Sequence, residues 1–491
     1  MSTEVPDNIV QLHERQKALA ASNRFSEFEF SSEAPKETDL GNAQRMAALF
    51  GGSVRYCNAW GKWLLWNEQR WEIDRRQNVD KLAVETVKSI YAEAAATSDA
   101  DRRIALAKHA RKSEDANRLK SMLRLLPTQP GISITPEELD ADKWLLNVLN
   151  GTINLRTGEL LEHDREHLIT KIAPVTYDPD AKCPHWMAFL NRVMDGNKNL
   201  LEFIQRAVGY NLTGDVSEQV LFFLHGSGSN GKSTFIQTIL RMLGDYAKQS
   251  ESELLLARRG EVHPTGIADL QGARFVASSE IESGRRLAES LVKQLTGGDR
   301  LKARYMRQDF FEFEPSHKLW LAANHKPIIR NSDYGIWRRI RLIPFTVTIP
   351  DDEKDPQLPD KLLEELPGIL NWAIAGCLTW QSDGLGFPPE VGQAVQDYRD
   401  EQDTLSGFFD ERCKFGTGEW VAVSALYKSY LNWCEANDEK PLSKIRLGEE
   451  LRQRFPKVQS WPTKHERRWA GIGVKTDIEL EFEQNEDSFL E

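Results

Sequence analysis

Ten residues, His225 to Thr234 (HGSGSNGKST), decide more about this chain than any other segment. They satisfy the pattern G-x-x-x-x-G-K-[ST], with Gly226, Gly231, Lys232 and Ser233 at its fixed positions. An apolar strand candidate, Val220–Leu224, precedes them. Ser233–Leu243 follows as an amphipathic helix, with Phe235, Ile236, Ile239 and Leu240 on its inner side. Glycines let the backbone curl until successive N–H groups and the helix N-terminus face one point, which is a nest for phosphate. Ser227, Gly228, Ser229, Asn230 and Thr234 complete that loop. Lys232 is expected to reach the β- and γ-phosphates of ATP, and the Ser233 hydroxyl to ligate Mg2+.

Hydrolysis also needs a carboxylate at the end of a neighbouring core strand. Ala273–Ser283 (ARFVASSEIES) offers an apolar strand, Phe275–Ala277, followed by Glu280 and Glu282. Their spacing puts both on one side of an extended chain. Glu280, nearer the strand end, is the expected catalytic carboxylate, and Glu282 is the alternative support for Mg2+. A further apolar strand in Lys318–Pro327 (KLWLAANHKP) ends at Asn324, whose amide can donate to the γ-phosphate or to water. Arg338 and Arg339, in YGIWRRIRLIPF, precede another strand. A guanidinium that reaches a neighbour's γ-phosphate makes turnover depend on assembly.

These four pieces, with GIADLQGARFVASSEIESGRRLAESLVKQLTGGD (Gly266–Asp299), LWLAANHKP and GIWRRIRLIPF, resemble superfamily 3 helicases of the AAA+ class. They are more closely similar to the helicase part of phage and plasmid primase-helicases, over roughly Asp142 to Gly384 and more weakly beyond. The resemblance implies a hexameric ring around DNA with ATP between subunits. Lys232 and Ser233 then take the phosphate-loop roles, Glu280 the acid, Asn324 the sensor, and Arg339 (or Arg338) the finger in trans. Ser279 stands where many members carry a second acid. Members also carry a DNA-gripping hairpin between the acid and sensor strands, a slot filled here by Asp299–Pro315. In it Lys302, Arg304 and Arg307 would track phosphates, and Tyr305 would stack or wedge on a base. A primase active site would need a cluster of acids and a histidine, and residues 1–140 offer only Asp99-Ala-Asp101 in a helical stretch. Priming is therefore expected to be absent or to come from a separate chain.

The expected fold class is multidomain α/β: an AAA+ core with a parallel sheet, an α+β and helical region before it, and a winged-helix-like domain after it. Residues 1–42 read as a polar segment with a linker (SSEAPKETD), and 43–140 as a collar or partner-docking region. Within the latter, Val54–Asp74 reads as a β meander and Lys81 to about Leu125 as two helices. Residues 141–217 combine two short strands joined through RTG with a helical segment. The core spans 218–349, a helical extension 350–400, the C-terminal domain 401–475 and an acidic tail 476–491. Between residues 415 and 475 there are 11 Lys/Arg and 7 Asp/Glu, a balance of +4 against −11 for the whole chain. Lys444, Arg446, Arg452, Arg454, Lys464, Arg467 and Arg468 make this domain a candidate for duplex or origin DNA, or else a lid packed on the ring. Net charge argues against non-specific coating of nucleic acid but leaves a basic channel open. Five cysteines without a CxxC pair argue against a zinc site, and with no apolar span they suggest a cytoplasmic protein of a bacterial or phage-infected cell. Two functions remain: a helicase acting on single-stranded DNA in a central channel, or a DNA-stimulated ATPase switch or loader without processive unwinding.

Overall fold

The computed structural model describes residues 35–257, 264–279, 284–307, 309–329, 334–437, 441–462 and 466–476. They divide into two compact units. One comprises the described residues up to Lys326 together with Arg338–Val391, the other Pro327–Trp337 together with those from Gly392 onward.

Thr38 accepts from the amide of Gly41 and so caps α1 (Asp39–Phe50), which begins inside the stretch expected to be linker. The expected meander follows as β1 (Val54–Cys57), β2 (Lys62–Trp66) and β3 (Trp71–Ile73). Three helices come next rather than two: α2 (Asn78–Ala96), α3 (Ala100–Ser113) and α4 (Ala116–Leu125). Asp99 accepts from the amides of Asp101 and Arg102, and Asp115 from that of Asn117, so each carboxylate restarts a helix. Strand β4 (Ser133–Ile134) joins β1 in parallel and completes a four-stranded sheet.

A second meander holds three strands where two were expected: β5 (Leu145–Val148), β6 (Gly151–Asn154) and β7 (Glu159–Leu161). Val148 pairs with Gly151, so only Leu149 and Asn150 form the unexpected turn. Helices α5 (Pro184–Val193) and α6 (Lys198–Leu212) then cover one face of the core sheet.

That sheet is built from β8 (Leu221–His225), α7 (Lys232–Leu243), β9 (Ala247–Ser250), α8 (Pro264–Ala268), β10 (Phe275–Ser279), α9 (Glu289–Thr296), the antiparallel pair β11 (Leu301–Ala303) and β12 (Phe311–Phe313), and β13 (Lys318–Ala323). The short helix α10 (Tyr334–Trp337) belongs to the second unit, and β14 (Ile340–Pro344) returns to the sheet. The order is β14-β8-β13-β10-β9 and every pair is parallel, as the alternation of strands and helices required. Trp320 at its centre is fully buried, stacks on Phe222 at 4.3 Å and donates its indole N–H to Asn211. Helices α11 (Leu358–Glu364) and α12 (Leu366–Asp383) close this unit, and α13 (Pro389–Gln402) runs on into the other.

The second unit continues with α14 (Thr404–Arg412), β15 (Cys413–Ala422), α15 (Val423–Ala436), α16 (Lys444–Arg454), β16 (Gln459–Pro462) and β17 (Arg467–Val474). Its antiparallel sheet has the order β15-β17-β16, and Phe408, Trp433, Leu451 and Trp469 lie in its core. The long strand β15 was not expected between helices. No helix among the described residues is long and apolar enough to cross a membrane. The acidic tail from 477 lies outside the described residues.

Candidate functional site

Strands β8 and β13 are neighbours in parallel register, with His225 opposite Ala323. The residues that follow, Gly226 and Asn324, therefore leave the sheet side by side at its carboxyl edge, where ligands of open α/β sheets bind. The 226–233 loop takes backbone conformations that side chains resist: Gly228 has φ 105°, Ser229 46° and Gly231 84°. A Cβ on Gly226 would lie 2.1 Å from the Phe345 carbonyl oxygen, so that position admits no side chain. Gly231 caps α7 without any side-chain hydrogen bond, which leaves the first amides of a 12-residue helix unsatisfied by side chains.

Lys232 is buried, and its ammonium is held by three oxygens. It donates to Gly226 O at 2.7 Å, Asn230 Oδ1 at 3.0 Å and Asn324 Oδ1 at 3.0 Å. Burial holds its pKa below the ordinary lysine value. A buried cation among neutral oxygens, beside open helix amides, is a site that favours an anion. Asn230 is fixed in turn by donating to the Phe345 carbonyl at 3.2 Å. Ser227, Ser229 and Ser233 are exposed, and Gly228 and Thr234 are half-buried. The structure thus brings together the loop, Lys232 and Asn324.

It keeps the arginines away from them. Arg338 and Arg339 precede β14, which runs parallel to β8 with Ile340 opposite Leu221, so they lie at the amino edge of the sheet. Arg338 is exposed and donates to Gln219 Oε1 at 3.0 Å. Arg339, the first choice for a finger, is 9% exposed and its Nε donates to Thr296 Oγ1 at 3.1 Å. Adjacent residues on a turn point to opposite sides, and the sequence did not show which side was solvent.

Glu280 and Glu282 lie outside the described residues, and β10 is described to Ser279. Among the described residues no group of three or more His, Cys, Asp or Glu could hold a metal ion. Of the donors read for Mg2+, the described one is Ser233, exposed at the first turn of α7.

The hairpin β11–β12 forms where expected, with Lys302, Arg304 and Arg307 exposed. Tyr305 is not presented at its tip. Its ring stacks on Phe311 at 5.7 Å and its hydroxyl donates to the Ala268 carbonyl at 3.1 Å, while burial raises its pKa. The exposed aromatic is Phe310, 51% accessible, with the Lys302 ammonium 5.2 Å and the Arg304 guanidinium 4.6 Å from its ring centre. The sequence reading passed over Phe310, although the alternation in Phe310–Glu314 (FFEFE) hinted at an outward aromatic.

Residues 43–195 match the family described as D5 N terminal like, 224–339 a family of unknown function, and 400–489 the family described as Poxvirus D5 protein-like. A protein of Acanthamoeba polyphaga mimivirus named "Putative helicase" is 25% identical over 324 residues, 61% of this chain and 34% of its own. A "Putative helicase" of Frog virus 3 is 27% identical over 257 residues, 48% of this chain and 26% of its own. A "Putative primase" of African swine fever virus is 26% identical over 349 residues, 64% of this chain and 36% of its own. The matched stretches thus span 26% to 36% of the length of these relatives. Among solved structures, the apo C-terminal region of NrS-1 superposes with a TM-score of 0.51 at 10% identity, covering 89% of this chain and all of that one. That likeness concerns the fold alone. The chain thus carries two domains of the D5 primase-helicase type, at 43–195 and 400–489, before and after the parallel sheet in sequence.

Proposed function

We propose that this chain is an ATP-driven replicative DNA helicase of a virus, phage, plasmid or integrated element, working in the cytoplasm as a head-to-tail ring, most simply a hexamer, around single-stranded DNA. The observation that carries the reading is the Lys232–Asn324 contact at 3.0 Å, which joins the loop after β8 to the end of β13 beside uncapped helix amides. ATP entering there finds the Gly226–Thr234 loop for its phosphates, Lys232 for the β- and γ-oxygens, and the Asn324 amide for the γ-phosphate or the attacking water. Ser233 would hold the Mg2+ that accompanies the nucleotide, with Glu280 or Glu282 as support, and the ion would supply neutralisation of the developing charge. Arg338, exposed where Arg339 is buried, is the better candidate for the guanidinium that reaches a neighbour's nucleotide.

DNA passes the β11–β12 hairpin, where Lys302, Arg304 and Arg307 meet phosphates and Phe310 meets bases. In the second unit, three helices and three strands in the order α14-β15-α15-α16-β16-β17 support a winged-helix module, with the basic residues of α16 facing duplex or origin DNA. Priming belongs to a separate chain in this reading.

A strand-displacement assay with forked substrates of each polarity tests it, comparing the native chain with Lys232→Ala. ATP-dependent displacement by the native chain alone is expected. DNA-stimulated hydrolysis without displacement would instead indicate a switch or loader, and no hydrolysis at all would sink both.

A further inference from the structure

We propose that the outer face of the second unit's three-stranded sheet is a stacking platform for unpaired nucleobases, built from Trp420, Arg468 and Trp461. The proposal rests on the reading of the chain as a DNA-acting protein and adds a second place where it holds single strands.

The strand register builds the platform. Trp461 on β16 lies directly opposite Arg468 on β17. Arg468 lies opposite Ala422 on β15, and Trp420 opposite Ala470. Side chains alternate along a strand, and directly opposed residues share a face, so Trp420, Arg468 and Trp461 fall on one side of the sheet. The other side carries Val421 and Trp469, opposed to each other and buried in the core.

Nothing in the fold requires two indoles on the outer side. Trp420 is 51% exposed and Trp461 39%, and among the described residues Trp60 is the third large exposed indole. The Arg468 guanidinium lies 3.9 Å from the Trp420 ring centre, and the carboxylate of Glu466 accepts from its Nε at 2.8 Å. That carboxylate fixes the cation over the ring instead of letting it range through solvent. The result is a flat aromatic surface that carries a fixed guanidinium.

Charge selects the occupant. Residues 415–475 carry +4 (11 Lys/Arg, 7 Asp/Glu) in a chain of −11, so an anionic strand is favoured over an acidic surface. Geometry selects its state. A duplex hides the faces of its bases and presents only their edges, whereas a single strand offers π-faces that stack on indole and guanidinium planes. This mode differs from reading a duplex with a helix, because it uses the sheet and needs unpaired bases.

The test is fluorescence anisotropy with labelled oligo(dT) and with a blunt duplex of the same length, on the full chain without nucleotide. A parallel series carries Lys302→Ala and Arg304→Ala, so that the hairpin cannot mask the second unit. Trp420→Ala with Trp461→Ala is expected to weaken oligo(dT) binding at least about ten-fold, from the stacking lost per base. Duplex affinity and melting temperature stay as in the parent, and Trp420→Phe with Trp461→Phe keeps most of the oligo(dT) affinity. Unchanged oligo(dT) affinity, as a protein partner for this face would give, overturns the proposal. So does an equal loss on duplex, or a phenylalanine variant as weak as the alanine one. Because no ATP is present, a chain that fails to hydrolyse or to unwind, which would refute the motor, leaves this measurement standing independently.

Discussion

Lys232 has three oxygen partners, and one of them, Asn324, comes from a different strand. Asn324→Ala removes that partner and, in the proposed function, the amide that would meet the γ-phosphate. The expected result is a loss of about 100-fold in kcat for ATP hydrolysis, the usual cost of one positioned donor, with a smaller change in KM. An unchanged kcat in a steady-state phosphate-release assay would remove Asn324 from the site. The loop pattern marks the lysine and an apolar strand ending in Asn marks the asparagine, but their hydrogen bond to each other was not legible. Nor was His317, since a histidine before a strand is an ordinary residue. It is fully buried, neither ring nitrogen has a hydrogen-bond partner, and burial beside the Lys318 ammonium pushes its pKa from 6.5 down to about 3. As pH falls from 6.5 towards 3, the unfolded chain binds a proton that the folded chain refuses. Stability is therefore full above that window and drops within it, by at most about 1.4 kcal/mol per pH unit. His317→Leu should flatten the acid side of the melting-temperature profile between about pH 4 and 7. A profile as steep as that of the native chain would assign the acid sensitivity to other groups.

Elements were legible where periodicity and punctuation agreed. The parallel sheet followed from apolar strands alternating with amphipathic helices, and the first meander from aromatic alternation around turn formers. Of the two breaks, at Asp99 and Asp115, one was missed because charged, alanine-rich sequence keeps a helical look through a capping residue. Strand β15 was missed because Gly416-Thr417-Gly418 reads as a loop, and its pairing with β17 shifts register between Phe415 and Trp420. Also invisible was the crossing of α6 and α12. A Cβ on Gly209 would come within 2.1 Å of the Cys377 nitrogen, and one on Gly376 within 2.1 Å of the Gln205 carbonyl oxygen, so the helices touch backbone to backbone. Gly209→Ala or Gly376→Ala should each destabilise by at least about 1–3 kcal/mol, the usual penalty of overpacking. A fall of several degrees by thermal denaturation is the expected sign, and no fall would mean that the crossing can relax. On the β11–β12 hairpin, removing Lys302 and Arg304 should weaken binding alike across DNA sequences. It should also reduce the slope of log affinity against log salt by roughly one unit per cation. A loss confined to one sequence would assign these cations to base reading instead.

At the scale of the whole molecule, the sheet decides what one copy cannot do. Lys232 follows the carboxyl end of β8, whereas Arg338 precedes the amino end of β14, and the two strands are parallel neighbours with Leu221 opposite Ile340. Five strand residues at about 3.3 Å each put roughly 16 Å of sheet between those edges. A single chain does not bring both cations to one triphosphate; in the proposed ring, a head-to-tail contact between copies would. Complementation follows from this geometry. Lys232→Ala and Arg338→Ala chains should each hydrolyse ATP poorly when pure, the first for want of its own phosphate ligand and the second for want of its neighbour's. In a random equal mixture, about one interface in four pairs an intact Lys232 with an intact Arg338 from the adjoining copy, so up to about a quarter of the native rate should return if interfaces fire independently. Steady-state hydrolysis across a series of mixing ratios measures this directly, and the recovered rate should peak at equal amounts. A rate that stays at the level of the pure variants at every ratio would mean that Arg338 does not act across the contact. Substantial hydrolysis by pure Arg338→Ala would mean that no guanidinium is needed there at all.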